Sequence, residues 1–192
     1  MTYDGFPNYK WLAGLAEMDV HNIRHILAMF ALFGIPESYL DVGCGTGITV
    51  KIAQKLGVRA AGVDQLVTPE WGEGFYHKNL VDPFILPGGP VDIVTSFEVG
   101  EHIHASAHAT FCETLCGNLK AGGNHWLVFT AARPGQAGTE HVACRPAEYW
   151  HQEFLLRGTS YNALKTMNLA LLWSNIGSPL NYLVDNLMVF EK

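Results

Sequence analysis

Apolar residues recur at Val20, Ile23, Ile26, Leu27 and Phe30, the spacing of one helical face. Asp19 is a candidate cap for that helix, and Gly34 before Pro36 is a stop signal. Beyond this point the pattern changes to short apolar runs bounded by glycine. Residues 38–42, 59–63, 75–80, 92–97 and 126–131 predict strands, the third being the weakest signal. Between them, residues 46–56 predict a helix ended by Gly57, and residues 105–119 one stopped before Gly122-Gly123. After the glycine- and proline-rich stretch RPGQAGTEHVACRP, Pro146 opens a helix that Gly158 ends. A further helix is expected over 163–175 and a last strand over 187–190. Strands alternating with helices imply a parallel sheet covered on both faces. No repeat or linker interrupts the pattern. The expectation is one domain over 1–192, with 1–37 as a helical arm or lid and 38–192 as its core.

Composition narrows the partners. At 48% apolar and 16% charged residues the chain has material for a packed core. Its 12 basic residues face 18 acidic ones, for a net charge of -6, and no Lys/Arg run offers a phosphate-binding stripe. This argues against nucleic acid as a partner. The first residues lack the basic and continuous apolar regions of a signal peptide, and the apolar run near 26–35 is short for a membrane span. A cytoplasmic location without a membrane partner is therefore expected. Four scattered cysteines without a CxxC pair read as reduced thiols, with Cys112 and Cys116 able to share a helix face.

The strongest local signal is Tyr39-Leu40-Asp41-Val42-Gly43-Cys44-Gly45-Thr46-Gly47, where the first strand turns into a helix. Glycines there let a ligand approach the backbone. Asp64 closes the second strand and could accept hydrogen bonds from both hydroxyls of a ribose. A pyrophosphate would be repelled by Asp41, and no Lys or Arg lies between Glu37 and Val50. A ligand with an ammonium and a sulfonium suits the acid better. The alternative is a glycine turn that binds nothing, and the joint presence of the loop, Asp41 and Asp64 argues against it.

The stretches LDVGCGTG, GVD at 62–64 and DIVTSFEVGEHI at 92–103 resemble the class I S-adenosylmethionine-dependent methyltransferases, over about residues 38–132. The resemblance implies a Rossmann-like α/β three-layer sandwich: a seven-stranded, mostly parallel sheet of order 3-2-1-4-5-7-6 with strand 7 antiparallel. Residues 187–190 would be strand 7, and strand 6 would fall near 160–162. It further implies that Gly43, Cys44 and Gly45 approach the methionine part through the backbone, and that Asp41 helps hold its ammonium. Asp64 would take the ribose and Asn79-Leu80 the adenine, with Asp82 as the competitor for that role. Phe97 would meet the cofactor mainly through its backbone.

A second constellation is Glu98-Val99-Gly100-Glu101-His102, at the end of the fourth strand. If a helical turn begins at Glu98, then Glu101 and His102 share its face and three ligand-type side chains could converge. The other reading has Glu98 touching the cofactor, Glu101 capping a helix and His102 packing. In the fold just named, the loop bearing His141 borders the same cavity, although a solvent-facing histidine fits equally well. The segment Gly138–Val142 resembles a His-containing segment of small family members, except that Ala143 stands where Asn is usual. The E-x-x-E-H run with His141 resembles the metal site of small-RNA 2′-O-methyltransferases, and similar runs occur in ubiquinone-biosynthesis O-methyltransferases. This implies Glu98, Glu101, His102 and His141 as catalytic residues and ligands of one divalent cation. Arg133 and Arg145 either hold an anionic acceptor or, the favoured reading, pair with acids. Tyr3, Phe6, Tyr9 and Trp11 are either a lid or packing for the arm.

The function expected is O-methylation of a small molecule or a saccharide, with or without a metal, and N-methylation stays open. RNA 2′-O-methylation is one alternative; a non-catalytic S-adenosylmethionine-binding module is another.

Overall fold

The central strands form where short apolar runs can be buried on both sides. In the computed structural model β1 (Ser38–Val42) and β5 (Trp126–Thr130) are buried along their whole length. The structure describes residues 10–177 and 180–192, with side chains from residue 21 onward. The other strands are β2 (Arg59–Asp64), β3 (Phe75–His77), β4 (Ile93–Phe97), β6 (Ser160–Tyr161) and β7 (Met188–Glu191). They make one sheet of order β3-β2-β1-β4-β5-β7-β6. The β1–β2, β1–β4, β2–β3 and β4–β5 pairs are parallel, and β7 runs antiparallel to both β5 and β6. The sequence-based topology therefore holds.

Helices cover both faces. On one side α3 (His108–Gly117) and α4 (Ala147–Leu155) place Phe111, Leu115, Trp150 and Phe154 on Leu40, Val94, Leu127 and Phe129. On the other, α1 (Lys10–Phe33), α2 (Ile48–Lys55), α5 (Ala163–Ser174) and α6 (Asn181–Asn186) supply Ile26, Met29, Val50, Ala53, Leu169, Trp173 and Leu183. Each fully buried Leu, Ile, Val, Phe or Met among them contributes about 1.5–3 kcal/mol relative to exposure. One expectation is corrected. Asp19 lies inside α1, which begins at Lys10, rather than at its N-terminus; residues 10–18 are mostly good helix formers that carry the helix past it. The short α6 was not foreseen.

Chain order reverses about β1, with β2 and β3 on one side and β4 onward on the other. In open parallel sheets ligands bind at the carboxyl ends of the strands beside such a reversal. Here the loop Gly43–Gly47 follows β1, and Glu98 follows β4. No helix among the described residues is long and apolar enough to cross a membrane.

Candidate functional site

The glycine loop is tied down by its own amides. Gly43 and Cys44 N–H donate to the Val63 carbonyl at 2.8 and 3.2 Å, and Gly45 N–H donates to Asp64 Oδ2 at 2.9 Å. Asp64 Oδ1 accepts from Leu66 N–H at 2.9 Å. Burial raises the Asp64 pKa, and these backbone donors oppose the rise. Gly43, Gly45 and Gly47 have φ of 82°, 51° and 72°, values that only glycine adopts without strain. A Cβ at Gly43 would strike Val99, whereas at Gly45 nothing lies within 4 Å, so the backbone there faces open space beside Asp64. The Cys44 side chain is buried against Gly62, and its carbonyl accepts from Gly47 N–H at 2.8 Å, so the loop is held on both sides of Gly45.

Asp41 is buried under the loop. It accepts hydrogen bonds from the Thr49 hydroxyl and, at 2.7 Å, from that of Thr95, its register partner on β4. Burial nevertheless pushes its pKa up to about 6. Phe97 packs edge-on against Trp173. Asn79 Oδ1 accepts from Val81 N–H at 3.3 Å, while Asp82 is exposed and its N–H closes a turn onto the Asn79 carbonyl.

The acid–histidine cluster lies at the end of β4. A 3₁₀ turn, Gly100–His102, presents Glu101 and His102. His141 arrives from the loop after β5, which is pinned by Val142 and Ala143 N–H donating to the Glu101 carbonyl, both at 3.0 Å. One ligand atom from each of Glu101, His102 and His141 lies within 4.8 Å of the others. The Glu101 side chain is wholly buried, and neither of its oxygens finds a hydrogen-bond donor among the described residues. His141 Nε2 approaches one of them at 3.9 Å. Burial, and then the charge of Glu98, raise the Glu101 pKa to about 8. Both imidazoles are oriented alike. His102 Nδ1–H donates to the Glu140 carbonyl at 3.1 Å and His141 Nδ1–H to the Gln136 carbonyl at 3.2 Å, which fixes the direction of each ring.

Glu98 departs from the expected set. No helical turn starts at it: its φ is 53°, and its carboxylate turns toward Asn186 and Gln136. It lines the same cavity of about 220 Å³ as Glu101, His102, Gln136, Ala137, His141 and Tyr182, but lies outside the close group of three. The expected pairing of Arg133 and Arg145 with acids is also corrected. Neither forms an ion pair among the described residues; Arg145 lies over the Tyr149 ring instead. Tyr3, Phe6 and Tyr9 lie outside the described residues, as does the side chain of Trp11.

Sequence reading missed Gln136, Gly138, Tyr182 and Asn186. A Cβ on Gly138 would fall 2.1 Å from His141 Nε2, so any other residue there would displace the ring. The glycine-rich loop held that signal. Nothing in NYLVDN marked α6 as part of a site.

A family described as methyltransferase domain matches residues 15–171, most of the chain. The chain belongs to the class I S-adenosylmethionine-dependent methyltransferases. Among curated relatives, this methyltransferase is 28% identical over 139 residues to a ubiquinone biosynthesis O-methyltransferase of Methylobacterium sp. (strain 4-46), covering 67% of the chain and 53% of the relative. It thus spans about half the length of the curated relative it matches. Two solved structures share its fold. A S-adenosylmethionine-dependent methyltransferase of Archaeoglobus fulgidus aligns with a TM-score of 0.64 at 13% identity, over 96% of this chain and 100% of that one. The 1,6-didemethyltoxoflavin-N1-methyltransferase of Burkholderia thailandensis, with bound 1,6-didemethyltoxoflavin and S-adenosylhomocysteine, aligns at 0.61 and 18% identity, over 80% and 74%. S-adenosylmethionine is the cofactor, and two buried carboxylates beside an open glycine backbone fit so cationic a molecule.

Proposed function

We propose that this methyltransferase methylates a hydroxyl of a small molecule or saccharide in the cytoplasm, assisted by a divalent cation. Glu101, His102 and His141 would hold the cation, with Glu98 beside them. S-adenosylmethionine supplies a methyl group on an electrophilic sulfonium, and a divalent cation supplies Lewis acidity that lowers the pKa of a hydroxyl. The chain's own residues bind and orient. Asp64 offers the ribose its lone pairs not used by Gly45 and Leu66, and Gly43 to Gly45 let the methionine part come close. Asp41 places negative charge near the ammonium, Asn79-Leu80 would meet the adenine, and Phe97 would border the cofactor through its backbone. Within the arm, α1 packs beside α2 and α5, and Gln136 and Tyr182 would line the acceptor side.

One observation carries the cation: a fully buried carboxylate without a hydrogen-bond donor, facing two imidazoles whose Nδ1–H groups are already used. Such a carboxylate is costly unless a proton or a cation neutralises it. Imidazoles favour a transition metal or zinc over calcium. The test is a thermal shift with Mn²⁺, Zn²⁺ and Mg²⁺ on the wild type and on Glu101→Ala with His102→Ala. A cation-dependent shift confined to the wild type is expected. Equal responses in both would leave the cluster a structural feature.

A further inference from the structure

One of the side chains that tie the two halves of this cluster together comes from neither of them. Asn186 is the last residue of α6 and is 1% exposed. Its Nδ2 donates to Glu98 Oε1 at 3.0 Å and Oε2 at 3.1 Å, and to Gln136 Oε1 at 3.0 Å. Gln136 closes the triangle by donating its own Nε2–H to Glu98 Oε2 at 3.3 Å. Because Asn186 faces a carboxylate and a carbonyl oxygen, its amide nitrogen must point this way. Both of its N–H bonds are thereby used. The Gln136 main chain continues the link, since its carbonyl receives His141 Nδ1–H. One buried amide therefore joins the segment after β4, which carries Glu98 and Glu101, to the loop after β5, which carries His141. Glu98 is half-buried, one residue beyond β4 with φ of 53°, and its carboxylate takes its direction from Asn186, at both oxygens, together with Gln136.

We propose that Asn186 is a positioning residue of the cation site, setting the separation of Glu98 from the His141 loop without touching cation, cofactor or acceptor. The role rests on the cation reading given above. It adds to the work of α6, which also supplies Leu183 to the core and Tyr182 to the cavity. A group acting this way changes ligand geometry, and loss of such outer partners typically lowers metal affinity about 10–100-fold.

The test is calorimetry of Mn²⁺, and separately of S-adenosylhomocysteine, with the wild type, Asn186→Leu, Asn186→Asp, Glu98→Gln and the double variant Glu98→Gln/Asn186→Leu. Asn186→Asp keeps the size of the side chain and sets a like charge against Glu98. Expected is a loss of Mn²⁺ affinity of about tenfold or more in both Asn186 variants, with S-adenosylhomocysteine bound as in the wild type, which certifies the fold. The double variant should bind Mn²⁺ no more weakly than Glu98→Gln, because the clamp acts through Glu98; a merely structural loss would add to it. Wild-type Mn²⁺ affinity in Asn186→Leu and Asn186→Asp overturns the role of Asn186 alone. A wild type that binds no Mn²⁺ overturns the cation reading and this role with it.

Discussion

Asp41 and Asp64 are both buried acids, but their settings predict different behaviour. The Asp41 pKa rises from the ordinary 3.8 to about 6, so the folded state holds its proton more tightly than the unfolded chain. The sign follows by linkage: stability from this group is present below about pH 4 and is lost as pH rises through about 6. The loss amounts to at most about 3 kcal/mol at 1.36 kcal/mol per pKa unit. Asp41→Asn should therefore gain stability relative to the wild type between pH 4 and 7 in urea unfolding. A cationic ligand reverses the preference. S-adenosylmethionine should bind the wild type more tightly as pH rises across that window, with no such rise in Asp41→Asn; a parallel pH profile in the two proteins would remove Asp41 from the ammonium site. For Asp64, Ala substitution would remove the two charge-assisted hydrogen bonds proposed to the ribose, about 1.5–3 kcal/mol each before water replaces them. It also strips the acceptors of Gly45 and Leu66 N–H, so the melting temperature should fall together with affinity. An unchanged dissociation constant would exclude Asp64 from the ribose site.

At the level of loops and helices, what the sequence disclosed depended on how local the signal was. The strand, glycine-turn and helix signals over 38–132 are local, and the structure places the elements within a few residues of them. The E-x-x-E-H run was legible for the same reason. Its geometry was not, because the left-handed backbone at Glu98 depends on partners far along the chain: Thr130, which bonds its N–H, and Asn186, which bonds its carboxylate. Asn186, 88 residues away, carries no pattern of its own. Gly138 lies between the two cases, a glycine whose reason emerges only when the His141 ring is seen above it. Gly138→Val should push that ring aside. Mn²⁺ affinity is then expected to fall about tenfold or more, in the range for lost metal partners, while S-adenosylhomocysteine still binds. Equal Mn²⁺ affinity would mean that His141 does not ligate.

The molecule as a whole packs two apolar layers on opposite faces of one sheet, so neither layer can loosen without baring the other side of the same strands. Trp150 is fully buried beside Phe129, Phe154 and His108, and Trp173 is buried on the opposite face against His25 and Phe97. Trp150→Ala should cost about 3–5 kcal/mol, and fluorescence and circular dichroism should report one coincident unfolding transition in urea. Two separated transitions would mean that the layers fold independently. This shared sheet also joins the glycine loop at the end of β1 to the acid–histidine cluster at the end of β4 through the paired strands, the arrangement that the proposed in-line transfer between sulfur and acceptor oxygen would need. The most direct measurement is therefore methyl transfer from isotopically labelled S-adenosylmethionine to a panel of hydroxyl-bearing small molecules and saccharides, after exhaustive chelation and again with Mn²⁺ restored. Transfer that is lost on chelation, returns with Mn²⁺ and is absent in Glu101→Ala is the expected result. Transfer that survives chelation and is undiminished in Glu101→Ala would contradict it.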